Sequence, residues 1–204
     1  MNQAMEATVQ LVREVLGDQY LDLRVDRFVL EEDVDTGKCT VSCSLHKHPT
    51  KTQLEIRGEG VGFVDAVFHA LQKELGKRYP SLNSIQFSTF RVEARLDTRR
   101  ERAGSDAVGA VVLGLQNSRG RTFEFSHSSR SITGSAMIVT LMGVEYFVNT
   151  ERAFITLHKA LDDARRRGRS DLLERYQIQI ATIVENTSYS ELMERIRAET
   201  SPPR

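Results

Sequence analysis

The chain has 204 residues, a length that gives one domain or two small ones with a hydrophobic core. Apolar residues make up 40% and charged residues 27%, as in globular proteins rather than disordered or fibrous ones. Because 28 basic residues balance 28 acidic ones, a general nucleic-acid or anionic-membrane binder is not favoured. No apolar run approaches the roughly 20 residues of a membrane-spanning helix, and the N-terminus has no signal-peptide pattern. With only two cysteines, a cytoplasmic protein is expected.

The first half of the chain predicts three strands followed by a helix. Apolar and charged residues alternate, which predicts strands over residues 20–30, 38–45 and 52–57. Gly58 and Gly60 are expected to end the third strand. From Phe63 the apolar period becomes helical, and the helix is expected to end near Arg78 or Tyr79.

The second half repeats this order of elements. Strands are predicted over residues 85–96, 107–116 and 122–126. The residues expected to face the core from the first of these strands are Ser88, Phe90, Val92, Ala94 and Leu96. A long helix is predicted from about Ser131 through Tyr146, with a break near Asn149 and a continuation to Arg167.

These patterns predict an α+β fold, a tandem βββα-βββα pseudo-repeat with an appended C-terminal helical pair. Residues 1–19 would form an N-terminal helix, residues 20–81 the first unit and residues 82–168 the second. Residues 169–204 would hold the C-terminal helices and a frayed tail. Helix-capping residues support this assignment at Ser170 and at Ser188 with Glu191. The apolar stripe of these helices needs a surface to cover, on the same body or on a second subunit.

One motif stands out, at the junction between the first unit's third strand and its helix. Residues 60–66 read Gly-Val-Gly-Phe-Val-Asp-Ala. Glycines let the backbone turn sharply and expose amide N–H groups at a helix start, which attracts carboxylates or phosphates. The equivalent junction, residues 128–136, is also rich in small residues, so the two helix starts could face each other across a shared cleft. A tight strand-to-helix turn would use the same glycines without any ligand.

The motif and the repeat together resemble the C-terminal regulatory domain of the α-isopropylmalate synthase and citramalate synthase family, which is leucine-responsive and dimerises. The family's signature reads Gly-x-Gly-Pro-Val-Asp-Ala, and this chain matches it except that Phe63 replaces the proline. A second family pattern matches Asp106-Ala107. A third matches residues 131–136 loosely, with Ser131 in place of an acid. The resemblance spans residues 20–149.

What the resemblance implies is a homodimer that binds a branched-chain amino acid between the two helix starts at the dimer interface. Carried onto this chain, the ligand-binding residues would be Gly60, Gly62, Val64, Ala66, Ile132 and Gly134. The substitutions at Phe63 and Ser131 leave open whether the pocket is open and which ligand it takes. The alternative is a protein–protein interaction module of the same fold that has lost ligand binding and docks a partner, such as an enzyme.

Catalysis is not expected. The family's enzymes carry an (α/β)8 barrel of about 250 residues ahead of this domain. Only about 19 residues precede the first predicted strand here. We therefore expect no catalytic residues, no cofactor and no condensation of acetyl-CoA with a keto acid.

A metal site is not expected either. Two cysteines and two histidines lie close together in the sequence: Cys39, Cys43, His46 and His48. On a strand the cysteines share one face about 13 Å apart, whereas the histidines have the opposite parity. This spacing does not suit zinc, so the thiols are predicted to lie in the core.

Two further groups have an ordinary interpretation. Arginines cluster at Arg99, Arg100 and Arg102 and again at Arg165, Arg166, Arg167 and Arg169. RNA, a phosphorylated ligand or an acidic partner could bind such clusters, but no aromatic RNA-binding signature accompanies them. A solvated loop and a helix C-terminus are favoured. Serines near His127 (Ser128, Ser129 and Ser131) lack a Gly-x-Ser-x-Gly elbow, so a hydrolase is not favoured.

Overall fold

A computed structural model describes residues 3–94 and 108–184. It confirms the predicted fold class, because two units of three antiparallel strands and a helix follow each other along the chain. The strands are β1 (Asp22–Asp33), β2 (Lys38–His48), β3 (Thr52–Gly60), β4 (Gln86–Ala94), β5 (Gly109–Gln116) and β6 (Thr122–Ser129). The helices are α1 (Gln3–Leu16), α2 (Phe63–Leu75), α3 (Ile132–Arg166) and α4 (Ser170–Val184).

Several sequence predictions lie outside the described residues. They are Leu96 at the end of the strand predicted over residues 85–96, the loop predicted for Arg99, Arg100 and Arg102, the Asp106-Ala107 pattern, and the last helix predicted from Ser188.

Each sheet is an antiparallel meander, in the order β1-β2-β3 and β4-β5-β6, so β2 and β5 are the central strands. On β2 the period of two places Cys39 and Cys43 on the buried face. Burial raises the pKa of the Cys43 thiol to about 11, so this thiol is neutral. His46 lies on the other face, and its Nδ1 is 2.8 Å from Asp26 Oδ1.

The two unit helices cover different strands. Helix α2 packs on β3 and β2, whereas α3 packs on β6 and β5 and also contacts α2. Large side chains from both sheets and both helices form one continuous core, which includes Leu45, Leu71, Leu113, Phe123 and Phe147. The two units therefore share a core rather than folding around separate ones.

The second half of α3 carries the terminal helices. Val12 of α1 and Ile183 of α4 are buried against Phe154 and Leu157 of α3 in a second cluster. By length and composition α3 is apolar enough to cross a membrane, but 67% of its most apolar window is buried inside the protein. That burial is typical of the core helix of a soluble protein.

The predicted break in α3 near Asn149 is wrong, because α3 is one unbroken helix of 35 residues. Asn149 Oδ1 accepts a hydrogen bond from Leu21 N at 2.7 Å, and Asn149 Nδ2 donates to Leu21 O at 2.8 Å. One turn earlier, Glu145 accepts a hydrogen bond from Leu23 N. These polar side chains hold the beginning of β1 against the helix, which satisfies the backbone groups on that side of an edge strand.

Two predicted boundaries are also wrong. Helix α2 ends at Leu75 rather than near Arg78 or Tyr79, and β3 runs through Gly60 rather than ending at Arg57. At the helix end, Asn83 Nδ2 donates to Gly76 O at 3.3 Å, and a Cβ on Gly76 would lie 2.5 Å from Gln72 O. This close turn redirects the chain into the 3-10 helix Pro80–Asn83.

The expectation that alternate residues of β4 from Ser88 onwards face the core is right for the direction of Phe90 and Val92 and wrong for their burial. Phe90 and Val92 lie in register with buried residues of β5 and so point to the inner face. They are nevertheless 49% and 50% exposed, because α3 covers β5 and β6 but not β4. A β-bulge at Ser88 reverses the parity, so Phe87 rather than Ser88 points inward.

The buried carboxyl of Glu145 predicts a pH dependence of folding. Burial raises its pKa from the ordinary 4.5 to about 8, so the folded chain binds this proton more tightly than the unfolded chain. The associated stability is complete below pH 4.5 and is lost as pH rises towards 8. Relative to wild type, Glu145→Gln should gain roughly 1.4 kcal/mol of unfolding free energy per pH unit inside this window.

Urea unfolding at half-unit pH steps measures this difference. Glutamine keeps an oxygen that can accept the hydrogen bond from Leu23 N. The exposed Glu31→Gln is the control and should follow wild type at every pH. A difference between Glu145→Gln and wild type that stays constant from pH 4.5 to 8 would contradict the assignment.

Candidate functional site

The turn between β3 and α2 depends on Gly60. A Cβ on this residue would lie 2.5 Å from Asp65 Oδ2 and 2.6 Å from Ala66 N. Val61 N donates a hydrogen bond to the same Asp65 oxygen at 3.1 Å, so the carboxylate closes the turn. Only a residue without a side chain lets the helix start lie this close to the strand.

Gly62 has no such steric reason to be glycine. Its φ of 164° is extended backbone open to any residue, and a Cβ there would have no atom within 4 Å. Gly62 is also the N-cap of α2, and no side chain caps this helix start within the described residues. The first amide N–H groups of α2, at Phe63 and Val64, are therefore not held by a cap.

The start of α3 is closed by its own serines. Ser131 is the N-cap, and its Oγ accepts a hydrogen bond from Gly134 N at 3.0 Å. Ser129 Oγ donates to Ser131 O at 2.9 Å. A Cβ on Gly134 would lie 3.1 Å from Ser131 Oγ, so this glycine makes room for the cap. The two helix starts are thus chemically different.

Both helix starts line one cavity of about 620 Å³. This volume is within the range of about 300–1,000 Å³ typical of small-molecule sites. Its apolar walls come from both helix starts and from strands β1 and β4. They include Phe63, Val64, Ile132, Ala136, Leu30 and Phe90. The cavity therefore lies between the two units, along β1 and β4, the edge strands that α2 and α3 leave largely uncovered.

The six predicted ligand-binding residues divide into two groups. Gly62, Val64 and Ile132 line the cavity. The other three are not among its lining residues: Gly60, Ala66 and Gly134. Of these, Ala66 is fully buried against the sheet, where its carbonyl oxygen would lie 2.1 Å from a Cβ on Gly58.

The phenyl ring of Phe63, which replaces the proline of the family signature, leaves the cavity open. It packs against Phe28 of β1 with ring centroids 5.5 Å apart, and it forms part of the cavity wall. The aromatic contact fixes the ring beside the space rather than across it.

Glu32 is a cavity residue that the sequence analysis missed. It pairs in register with the buried Cys39 and so points to the inner face of β1, and it is one of the residues that line the cavity. Burial is the largest cause that raises the pKa of the Cys39 thiol, and the negative charges of Glu32 and Asp65 raise it further. Within the described residues, Glu32 forms no ion pair. The alternation of β1, followed two residues past Leu30, is the signal that could have found it.

The other residue groups are held by local contacts. His127 Nδ1 is 3.0 Å from Ser135 Oγ, and that oxygen is 2.8 Å from Ser129 Oγ. Ser135 is fully buried, so its hydroxyl links β6 to α3 rather than facing solvent. The arginines at the end of α3 and just beyond it form ion pairs, with Asp162, Asp163 and Asp171.

Comparison with models of known protein families finds no match, and neither does comparison with curated proteins. The resemblance to the synthase regulatory domain therefore depends on the residue 60–66 motif and on the repeated βββα order of the fold.

The two glycines of the motif should respond differently to substitution. Gly60→Ala forces a contact with backbone and should lower the unfolding free energy by about 1–3 kcal/mol. Gly62→Ala adds a methyl group in open space and should change it by less than about 0.5 kcal/mol. Urea unfolding of both variants beside wild type measures the contrast. Equal losses in the two variants would show that Gly62 is also a packing residue.

Proposed function

We propose that this chain is a non-catalytic regulatory module of the cytoplasm that binds a branched-chain amino acid in the cavity between its two units. The observation that carries the proposal is that two different helix starts open on one largely apolar space. The resemblance to the leucine-responsive domain of α-isopropylmalate synthase supports the same choice of ligand.

The cavity offers a partner for each part of an amino acid. The uncapped amides at the start of α2 suit the α-carboxylate, because a helix N-terminus carries partial positive charge. Glu32 and Asp65 supply negative charge for the ammonium group. The walls around Val64 and Ile132 suit an aliphatic side chain, whose burial contributes roughly 1.5–3 kcal/mol.

Binding should involve two copies of the chain. Apolar side chains at and beside the cavity are exposed, among them Val61 at 89% and Val92 at 50%. Such a patch on one side of a protein is typical of an interaction surface. In the resembled family the ligand lies at a dimer interface, so we assign this patch to a second copy.

A protein-docking function is the second candidate. Only Ile183 of α4 is buried in the described part of that helix, and Ile178 is 61% exposed. A partner enzyme that covers this helix would explain its uncovered apolar residues. If this alternative holds, the wild-type chain binds no amino acid, and Ile178→Glu abolishes its complex with that enzyme.

Titration calorimetry with leucine, isoleucine and valine tests the ligand. At least one should bind saturably, and Glu32→Gln should weaken it about tenfold because the ammonium group loses a charged partner. Glu31→Gln is the matched control, since Glu31 is the adjacent carboxylate on the opposite face of β1, and it should bind as wild type does.

Two results would overturn the ligand assignment. The first is that the folded protein gives no heat of binding with any of the three amino acids. The other is equal weakening by Glu32→Gln and Glu31→Gln, which would point to a general effect of charge. Thermal unfolding of each variant confirms that the comparison is made between folded proteins.

Sedimentation velocity tests the second copy. Wild type should sediment as a dimer, and Val92→Glu should shift it to monomer because a charge enters the apolar patch. Gln86→Glu places the same charge on the outer face of the same strand and should remain dimeric. A wild-type protein that stays monomeric at all concentrations, with and without amino acid, would contradict the assignment.

A further inference from the structure

A second cavity, of about 290 Å³, lies where the end of β2 meets the beginning of β1. The turn after α2 and the middle of α3 complete its walls, so both units contribute to it. It shares no lining residue with the cavity between the helix starts. Its lining is mainly polar, whereas the first cavity is mainly apolar. The two cavities therefore suit different classes of ligand.

Cations from three separate elements converge on this space. Lys47 comes from β2, Arg78 from the turn after α2, and Arg152 from α3. Lys47 and Arg152 are half-buried, and neither forms an ion pair within the part of the chain that the structure describes. Half-buried cations that lack an anionic partner create a positive potential inside a cavity.

Fewer carboxylates than cations line the same cavity. Asp18 and Glu74 are its two acidic lining residues, and both are exposed. His48 lines the cavity as well, and its Nδ1 lies 3.6 Å from Asp22 Oδ2. Three permanent cations and two carboxylates therefore line the cavity, and the sum of their charges is positive.

We propose that this cavity binds a small phosphate-bearing metabolite, with its phosphate held between Lys47 and Arg152. The guanidinium group of arginine presents several N–H donors in one plane, which suits phosphate oxygens. The exposed carboxylates of Asp18 and Glu74 would accept hydrogen bonds from hydroxyl groups elsewhere on the same molecule. A cavity of this size takes a compact molecule rather than a polymer.

Titration calorimetry with inorganic phosphate and pyrophosphate, at constant ionic strength, tests the site. Pyrophosphate should bind saturably to wild type, and the double variant Lys47→Gln, Arg152→Gln should bind it at least tenfold more weakly. Arg57→Gln with Lys159→Gln is the matched control, because it removes two exposed cations outside this cavity and changes the net charge equally. The control should alter affinity less than twofold.

Leucine titration of the same proteins separates this site from the proposed amino-acid site. The double variant should bind leucine as wild type does, and Gly62→Ala should bind pyrophosphate as wild type does. No saturable binding of phosphate or pyrophosphate would overturn the proposal. Equal weakening in the double variant and its control would also overturn it, since that result reflects net charge alone.

Discussion

Two helices are too few to cover the inner faces of six strands, and this constraint shapes the molecule. Helix α2 covers β3 and β2, and α3 covers β6 and β5, so most of the first strand of each unit lies at an edge that these two helices leave uncovered. The cavity between the units lies along these two edges. Hydrophobic residues line it because the strands keep their inward pattern even where no helix covers them.

Glycines and polar side chains determine how closely the helices approach the strands. Gly58 and Gly60 let α2 lie directly on its strand, which brings the helix start to the edge of the sheet. On the other side, Asn149 and Glu145 hold the beginning of β1 against α3. The amino-acid proposal relies on this arrangement, since it places uncapped amides, carboxylates and apolar walls around the same space.

Local periodicity was enough to predict the fold class, because the change from strand to helix period occurs twice in the same order. It could not predict which strands the helices leave uncovered, so Phe90 and Val92 were expected in the core. Local sequence predicts a helix break near Asn149 because it does not reveal the hydrogen-bond partner of Asn149, Leu21, which lies 128 residues away in the chain. In the site, the glycine motif indicates the start of α2. Glu32 can be placed at the cavity only by following the alternation of β1 beyond Leu30.

The central claim is that one small zwitterion contacts both helix starts at once. Amide chemical shifts of isotope-labelled protein, followed during a leucine titration, test it most directly. If leucine contacts both helix starts, the amide signals of Gly62 and Val64 and those of Ile132 and Thr133 should shift together and saturate at the same leucine concentration. Movement at only one helix start, or no movement at either, would contradict it.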